Sequence, residues 1–143
     1  MKEYQSLSHT RWDCKYHVVF IPKRRKKAVF GVLRKELGGV FRALAQQRDS
    51  AVVEGPLMVD HVHMCLSIPP KYSVSSVVGY IKGKSAMTIA RHFGGRQRNF
   101  TGEVFWARGD FVSTVGLDEE RVRAYIRIQA PEDERYDQMK LGL

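Results

Sequence analysis

Asp60-His61-Val62-His63-Met64-Cys65-Leu66-Ser67-Ile68 is the stretch that decides the fold. From His61 onward, polar or small side chains alternate strictly with apolar ones, which is the period of a β-strand. Such a strand sends Val62, Met64, Leu66 and Ile68 to one face and His61, His63, Cys65 and Ser67 to the other. A strand with one apolar and one polar face belongs to a sheet whose core lies on one side only.

Working outward, residues 13–21 are rich in β-formers and stop at Pro22. The basic run Lys23-Arg24-Arg25-Lys26-Lys27 follows. Leu33, Leu37, Val40, Phe41 and Leu44 then form an apolar stripe at helical spacing within 31–48. A strand is expected over 51–59, before the one at 61–68. A second helix is expected over 73–93, capped by Ser73 or Ser75, built on Val77, Tyr80, Ile81, Ile89 and Phe93, and ended by Gly94-Gly95. A basic loop leads to Val104-Phe105-Trp106. A strand at 111–115 and a last helix over 119–130 complete the chain; Asp118 is placed to cap that helix and Pro131 to stop it. The order β-α-β-β-α-β-α predicts an α+β fold of the ferredoxin-like, RRM-like kind. Its antiparallel βαββαβ sheet carries helices on one face, and a C-terminal helix is added. The other sheet face is then left for nucleic acid, a partner or chemistry. One domain spanning 1–143 is expected.

Composition narrows the function. Twenty-four Lys and Arg against fifteen Asp and Glu give a net charge of +9, which favours a polyanionic partner, nucleic acid first. Arg24, Lys84, Arg91 and Arg108, with the rest of the 23–27 run and Lys82, are candidate phosphate contacts. Arg96 and Arg98 add charge to the same region. Trp12, Tyr16, Phe20 and Trp106 are available for base stacking, although core packing is the commoner use of such aromatics. The two cysteines, Cys14 and Cys65, make neither a disulfide framework nor a CxxC zinc site. The N-terminus lacks the apolar stretch of a signal peptide, and no run is long enough to span a membrane. A cytoplasmic protein is expected, with no organic cofactor.

Two constellations carry chemistry. On a strand, His61 and His63 project side by side, about 6–7 Å apart at Cα, and one divalent ion fits between them. Imidazole alone would favour zinc, manganese or iron. Asp60 is placed to orient an imidazole, or simply to make a turn. Cys65 shares the face as a third ligand or a small filler. On the last helix, Tyr125 and Gln129 stand one turn apart on one face. Two imidazoles and an amide oxygen would make a three-ligand site with positions open for substrate oxygens. An ion there would polarise a phosphodiester, and tyrosine attack would release a 3′-oxygen and leave a covalent 5′-phosphotyrosine that preserves the bond for rejoining.

Five ordered segments resemble the single-tyrosine HUH transposases of insertion sequences, the TnpA-type and REP-associated tyrosine transposase superfamily. The segments run from Ser8 to Phe20, from Asp60 to Met64, from Ser75 to Ser85, from Trp106 to Gly116, and from Tyr125 to Gln129. The resemblance implies a bacterial or archaeal homodimer that binds hairpins at the ends of a mobile element in single-stranded DNA, nucleoid-associated when bound. Tyr125 would be the nucleophile. His61, His63 and Gln129 would hold Mg2+ or Mn2+, and the tyrosine helix of one subunit would complete the site of the other. Asp110 departs from the family by standing where an aromatic is expected, and Pro131 by ending the last helix early.

Three other functions compete. An RRM-like nucleic-acid-binding module would carry aromatics on its two central strands, where this chain carries histidines. A metal-dependent phosphoesterase using water would need no tyrosine. A domesticated relative would keep the chemistry without mobility.

Overall fold

The computed structural model describes residues 5–7, 10–55, 60–93, 105–114 and 124–128. Two short strands, β1 (Gln5–Leu7) and β2 (Thr10–Trp12), pair as an antiparallel hairpin. The main unit follows as β3 (Lys15–Phe20), α1 (Lys27–Gln46), β4 (Ala51–Glu54), β5 (Val62–Ser67), α2 (Val74–Phe93) and β6 (Phe111–Ser113). Residues 124–128 form a helical segment, α3.

The four main strands are ordered β4-β5-β3-β6 and every pairing is antiparallel. The first and third strands of the βαββαβ unit are therefore central, which is the ferredoxin-like arrangement expected from the sequence. The β1–β2 hairpin was not foreseen, because two three-residue strands are too short to show a period. The strand expected over 51–59 ends at Glu54, with Gly55 already outside it, and residues 56–59, 94–104, 115–123 and 129–143 lie outside the described set. A bulge between Val52 and Glu54 interrupts the β4 register and leaves Val53 exposed. A bulge on an edge strand also blunts that edge against pairing with another chain.

One face of the sheet carries the core. Val18 and Phe20 of β3, with Val62, Met64 and Leu66 of β5, pack under Leu33, Leu37, Phe41 and Leu44 of α1 and Val77, Ile81 and Ile89 of α2. The alternation of residues 61–68 and the stripe of α1 are thus both realised. Trp106 seals one end of this core. Its ring lies edge-on to Phe20 at 4.8 Å and to Phe105 at 4.7 Å, a favoured aromatic geometry. Its indole N–H donates to Ser85 Oγ at 3.0 Å. Phe20 and Trp106 are therefore core residues and are not available to stack on bases.

The helix ends follow local chemistry. Ser73 caps α2, its hydroxyl accepting from the Ser76 amide at 3.1 Å. After α1 the chain turns through Asp49 at φ 51°, a left-handed conformation that aspartate tolerates better than most residues. The Asp49 carboxylate is fixed by Lys71 at 2.8 Å, which holds its pKa below the ordinary value.

Candidate metal and tyrosine site

The face of the sheet away from α1 and α2 is built by strand register. Val19 of β3 is paired on one side with His63 of β5 and on the other with Phe111 of β6. Directly opposed residues of antiparallel strands point to the same face, so Phe111, Val19 and His63 form one row. The next row is Ser113, His17 and Cys65. His61 stands beside His63, their rings 6.3 Å apart and nearly parallel. The expected side-by-side imidazoles are present.

The ring of Tyr125, in α3, lies 6.0 Å from that of Phe111. Phe111 shares its row with His63, so the tyrosine and the histidine pair occupy the same side of the sheet. Two strand spacings put Phe111 about 10 Å from His63 across the row. Tyr125 thus packs on a residue of the same row as His63, with Val19 standing between Phe111 and His63. Gln129 lies outside the described residues.

His61 Nδ1 and an Asp60 carboxylate oxygen are 2.8 Å apart. A carboxylate that takes one ring nitrogen fixes the tautomer and leaves the other nitrogen to ligate. Of the two uses the sequence left open for Asp60, orienting the imidazole is the one this geometry supports. Among the described residues no group of three His, Cys, Asp or Glu side chains converges as a metal site. The two imidazoles, with one of them oriented by a carboxylate, nonetheless suit a divalent ion whose remaining ligand comes from elsewhere. Cys65 is buried, and burial, aided by Glu54, pushes its thiol pKa up. A small, buried side chain suits the filler role.

The sheet face is less open than the sequence suggested. Val19 is fully buried, and Cys65 and Ser67 nearly so. The Tyr125 hydroxyl is also buried and has no hydrogen-bond partner among the described residues. Its pKa is raised, first by that burial and second by the charge of Asp110. His17 Nδ1 is likewise buried without a partner among the described residues, and its ring stands edge-on to His63 at 6.1 Å. Sequence reasoning missed His17. The available signal was a polar residue inside the β-rich run Tyr16-His17-Val18-Val19-Phe20, in phase with Val19 and not with the core residues Val18 and Phe20.

The candidate phosphate contacts separate into two groups. Arg24, Lys84, Arg91 and Arg108 are exposed, and Lys26 is half-buried. Lys23 is buried, and its amide ties to Phe105 O at 2.9 Å. Lys82 is an internal staple. Its ammonium donates to Ala107 O at 3.2 Å and Gly109 O at 2.8 Å and lies 4.0 Å from Asp110. Burial lowers its pKa, with Asp110 opposing. Lys23 and Lys82 thus leave the set of expected phosphate contacts, because each is folded inward. The side chains of Arg25 and Lys27 lie outside the described set. Asp110 is exposed, with its carboxylate 4.0 Å from the Lys82 ammonium.

Residues 10–129 match the family of IS200-like transposases. The chain belongs to that family. It is 41% identical to the transposase for insertion sequence element IS200 of Salmonella typhimurium, over 99% of this chain and 93% of the relative. The ISDra2 transposase TnpA of Deinococcus radiodurans is 27% identical, over 81% of each chain. Among solved structures, a Deinococcus radiodurans R1 protein described as a transposase superposes with a TM-score of 0.73 at 24% identity, covering 90% of this chain and 98% of its own. A REP-associated tyrosine transposase bound to a REP hairpin superposes with a TM-score of 0.53 at 13% identity, covering 87% and 68%. These two likenesses support the fold. The family membership makes this chain a transposase of the insertion-sequence type.

Proposed function

We propose that this transposase cuts and rejoins single-stranded DNA at element ends through a covalent 5′-phosphotyrosine on Tyr125, assisted by a divalent ion. The observation that carries this reading is the common sheet face. The contact of Tyr125 with Phe111, which shares the row Phe111–Val19–His63 with the histidine pair, supports it. No binding module requires that coincidence.

His61, His63 and Gln129 would hold Mg2+ or Mn2+, and Asp60 would keep His61 in its ligating tautomer. The ion supplies charge stabilisation to the phosphoryl oxygens. In the step itself, Tyr125 Oη bonds to phosphorus and loses its proton to solvent. The P–O3′ bond breaks, and the 3′-oxygen gains a proton. Rejoining reverses this sequence with a different 3′-end. The buried Oη would be released by a shift of α3 before attack, since a desolvated phenol holds its proton tightly. The exposed residues Arg24, Lys84, Arg91 and Arg108, together with Lys26, would track the phosphates of hairpin-ended strands. The proposed assembly is a homodimer in a bacterial or archaeal cytoplasm, with α3 of one subunit serving the histidine pair of the other.

The test incubates the protein with labelled single-stranded element ends and Mg2+, followed by denaturing electrophoresis. A DNA band shifted by covalent protein is expected, and it should vanish in Tyr125→Phe. Cleavage that persists in that variant would point to a water-using phosphoesterase. Mixing Tyr125→Phe with a His61→Ala,His63→Ala protein tests the shared site. Exchange should restore part of the cleavage, and inactive mixed dimers would establish a site built within one subunit.

A further inference from the structure

We infer that His17 is a positioning residue for a hydrated divalent cation held by His61 and His63, acting through its Nδ1 atom; this rests on the metal reading above. His17 lies on the central strand β3, and the register places it diagonally across from His63, since Val19 opposes His63 and His17 opposes Cys65. Diagonal neighbours in an antiparallel pair are about 7–8 Å apart at Cα, within reach of ring side chains. The two rings meet edge-on at 6.1 Å. His17 therefore buttresses the one metal-pair histidine that sits inside the strand, while Asp60 holds the other from the strand's entry.

The second observation is the state of Nδ1. It is buried and has no partner among the described residues. Buried polar atoms are almost always hydrogen-bonded, and an exception calls for a bound water, an ion or a chemical role. Leucine, valine or phenylalanine would fill the same half-buried position without the cost of desolvating a nitrogen. His17, His61 and His63 share one face, and a hydrated cation beside the pair would bring water molecules able to satisfy that nitrogen. His17 then contributes no ligand of its own, in keeping with the absence of a three-residue cluster among the described residues.

Mn2+ affinity of the full-length protein, read by electron paramagnetic resonance without DNA, tests this directly. His17→Phe keeps a ring and removes both nitrogens. His17→Asn places an amide close to where Nδ1 stood, whereas His17→Gln places one near Nε2. Thermal midpoints establish that each variant is folded. The expected result is about a 10-fold or greater loss of Mn2+ affinity in His17→Phe, with His17→Asn recovering most of it and His17→Gln little. Wild-type affinity in His17→Phe would overturn the inference, as would a His17→Asn protein as weak as His17→Gln. The Asn and Gln pair decides the matter even if the Phe variant does not fold. His61→Ala,His63→Ala is the reference. If it binds Mn2+ as well as wild type, the metal reading itself fails and the role of His17 falls with it; if only the His17 variants match wild type, the metal reading stands and the role of His17 alone is refuted.

Discussion

Replacing Tyr125 with phenylalanine should make the protein more stable while making it inactive. The hydroxyl is buried and without a partner among the described residues. Leaving such a group desolvated costs about 1–3 kcal/mol. Phenylalanine preserves the ring against Phe111 and deletes only the oxygen, so part of that cost returns, less a small loss of packing. A net gain of about 1 kcal/mol is expected, which for a chain of this size raises the melting temperature by about 3 °C. The effect should also depend on pH. The folded-state pKa of Tyr125 lies above its ordinary value of 10.0, chiefly through burial. Above that ordinary value the unfolded chain releases the phenolic proton while the folded chain keeps it, so the wild type loses stability from about pH 10 upward. The Phe variant lacks this loss, so the gap between the two melting curves should widen between pH 9 and pH 11. Differential scanning calorimetry at several pH values reads both effects. A variant that melts about 3 °C lower than wild type, or a gap independent of pH, would show that the hydroxyl is satisfied in the folded protein, and the picture of a tyrosine held away from its reaction would be wrong.

Lys82→Met should lower stability by about 1–3 kcal/mol, because two carbonyls lose a charged donor; the salt dependence of DNA binding should stay unchanged, measured by fluorescence anisotropy. Ser73→Ala should cost about 1 kcal/mol through loss of the α2 cap, read from urea midpoints. Binding of single-stranded hairpin DNA should weaken steeply with salt, and each alanine substitution at Arg24, Lys84, Arg91 or Arg108 should reduce the log–log slope by about 1; a slope unaltered by all four would remove these residues from the interface.

The fold and the site were legible to different extents. Alternation in residues 61–68 and the stripe on α1 identified the core faces correctly, because burial on one side imposes a period that sequence shows directly. Ser73, one of two serines offered as a cap, is the one used. Charge was harder to read. Lys23 and Lys82 look in sequence like the lysines that stay at the surface, and only the tertiary arrangement shows that Lys82 reaches the carbonyls of the 107–109 loop, 25 and 27 residues away. Aromatics were ambiguous for the same reason, and Trp106 belongs to the core through contacts with Phe20, Phe30 and Phe41 from distant segments. His17 stayed hidden because its significance depends on register, and pairing partners across a sheet cannot be deduced from one strand alone.

The histidine pair and the tyrosine belong to parts of the fold that are connected to the sheet differently. His63 belongs to β5, which is hydrogen-bonded to β3 on one side and β4 on the other, and whose alternate residues are core. Moving it would break its pairing with Val19 of β3. Tyr125 lies on α3 against Phe111 of β6, a three-residue strand at the sheet edge. Neither the described residues of α3 nor those of β6 belong to the core cluster. Under the proposed mechanism, shifting α3 would give up this aromatic contact, worth about 1 kcal/mol, and would expose a hydroxyl that gains from hydration. The loop before β6 is pinned by Lys82, which donates to Gly109 O and helps to hold Phe111 in place. On the proposed mechanism, a fixed metal pair and a movable tyrosine would serve strand transfer, since the nucleophile would have to carry its covalent strand from one end to another.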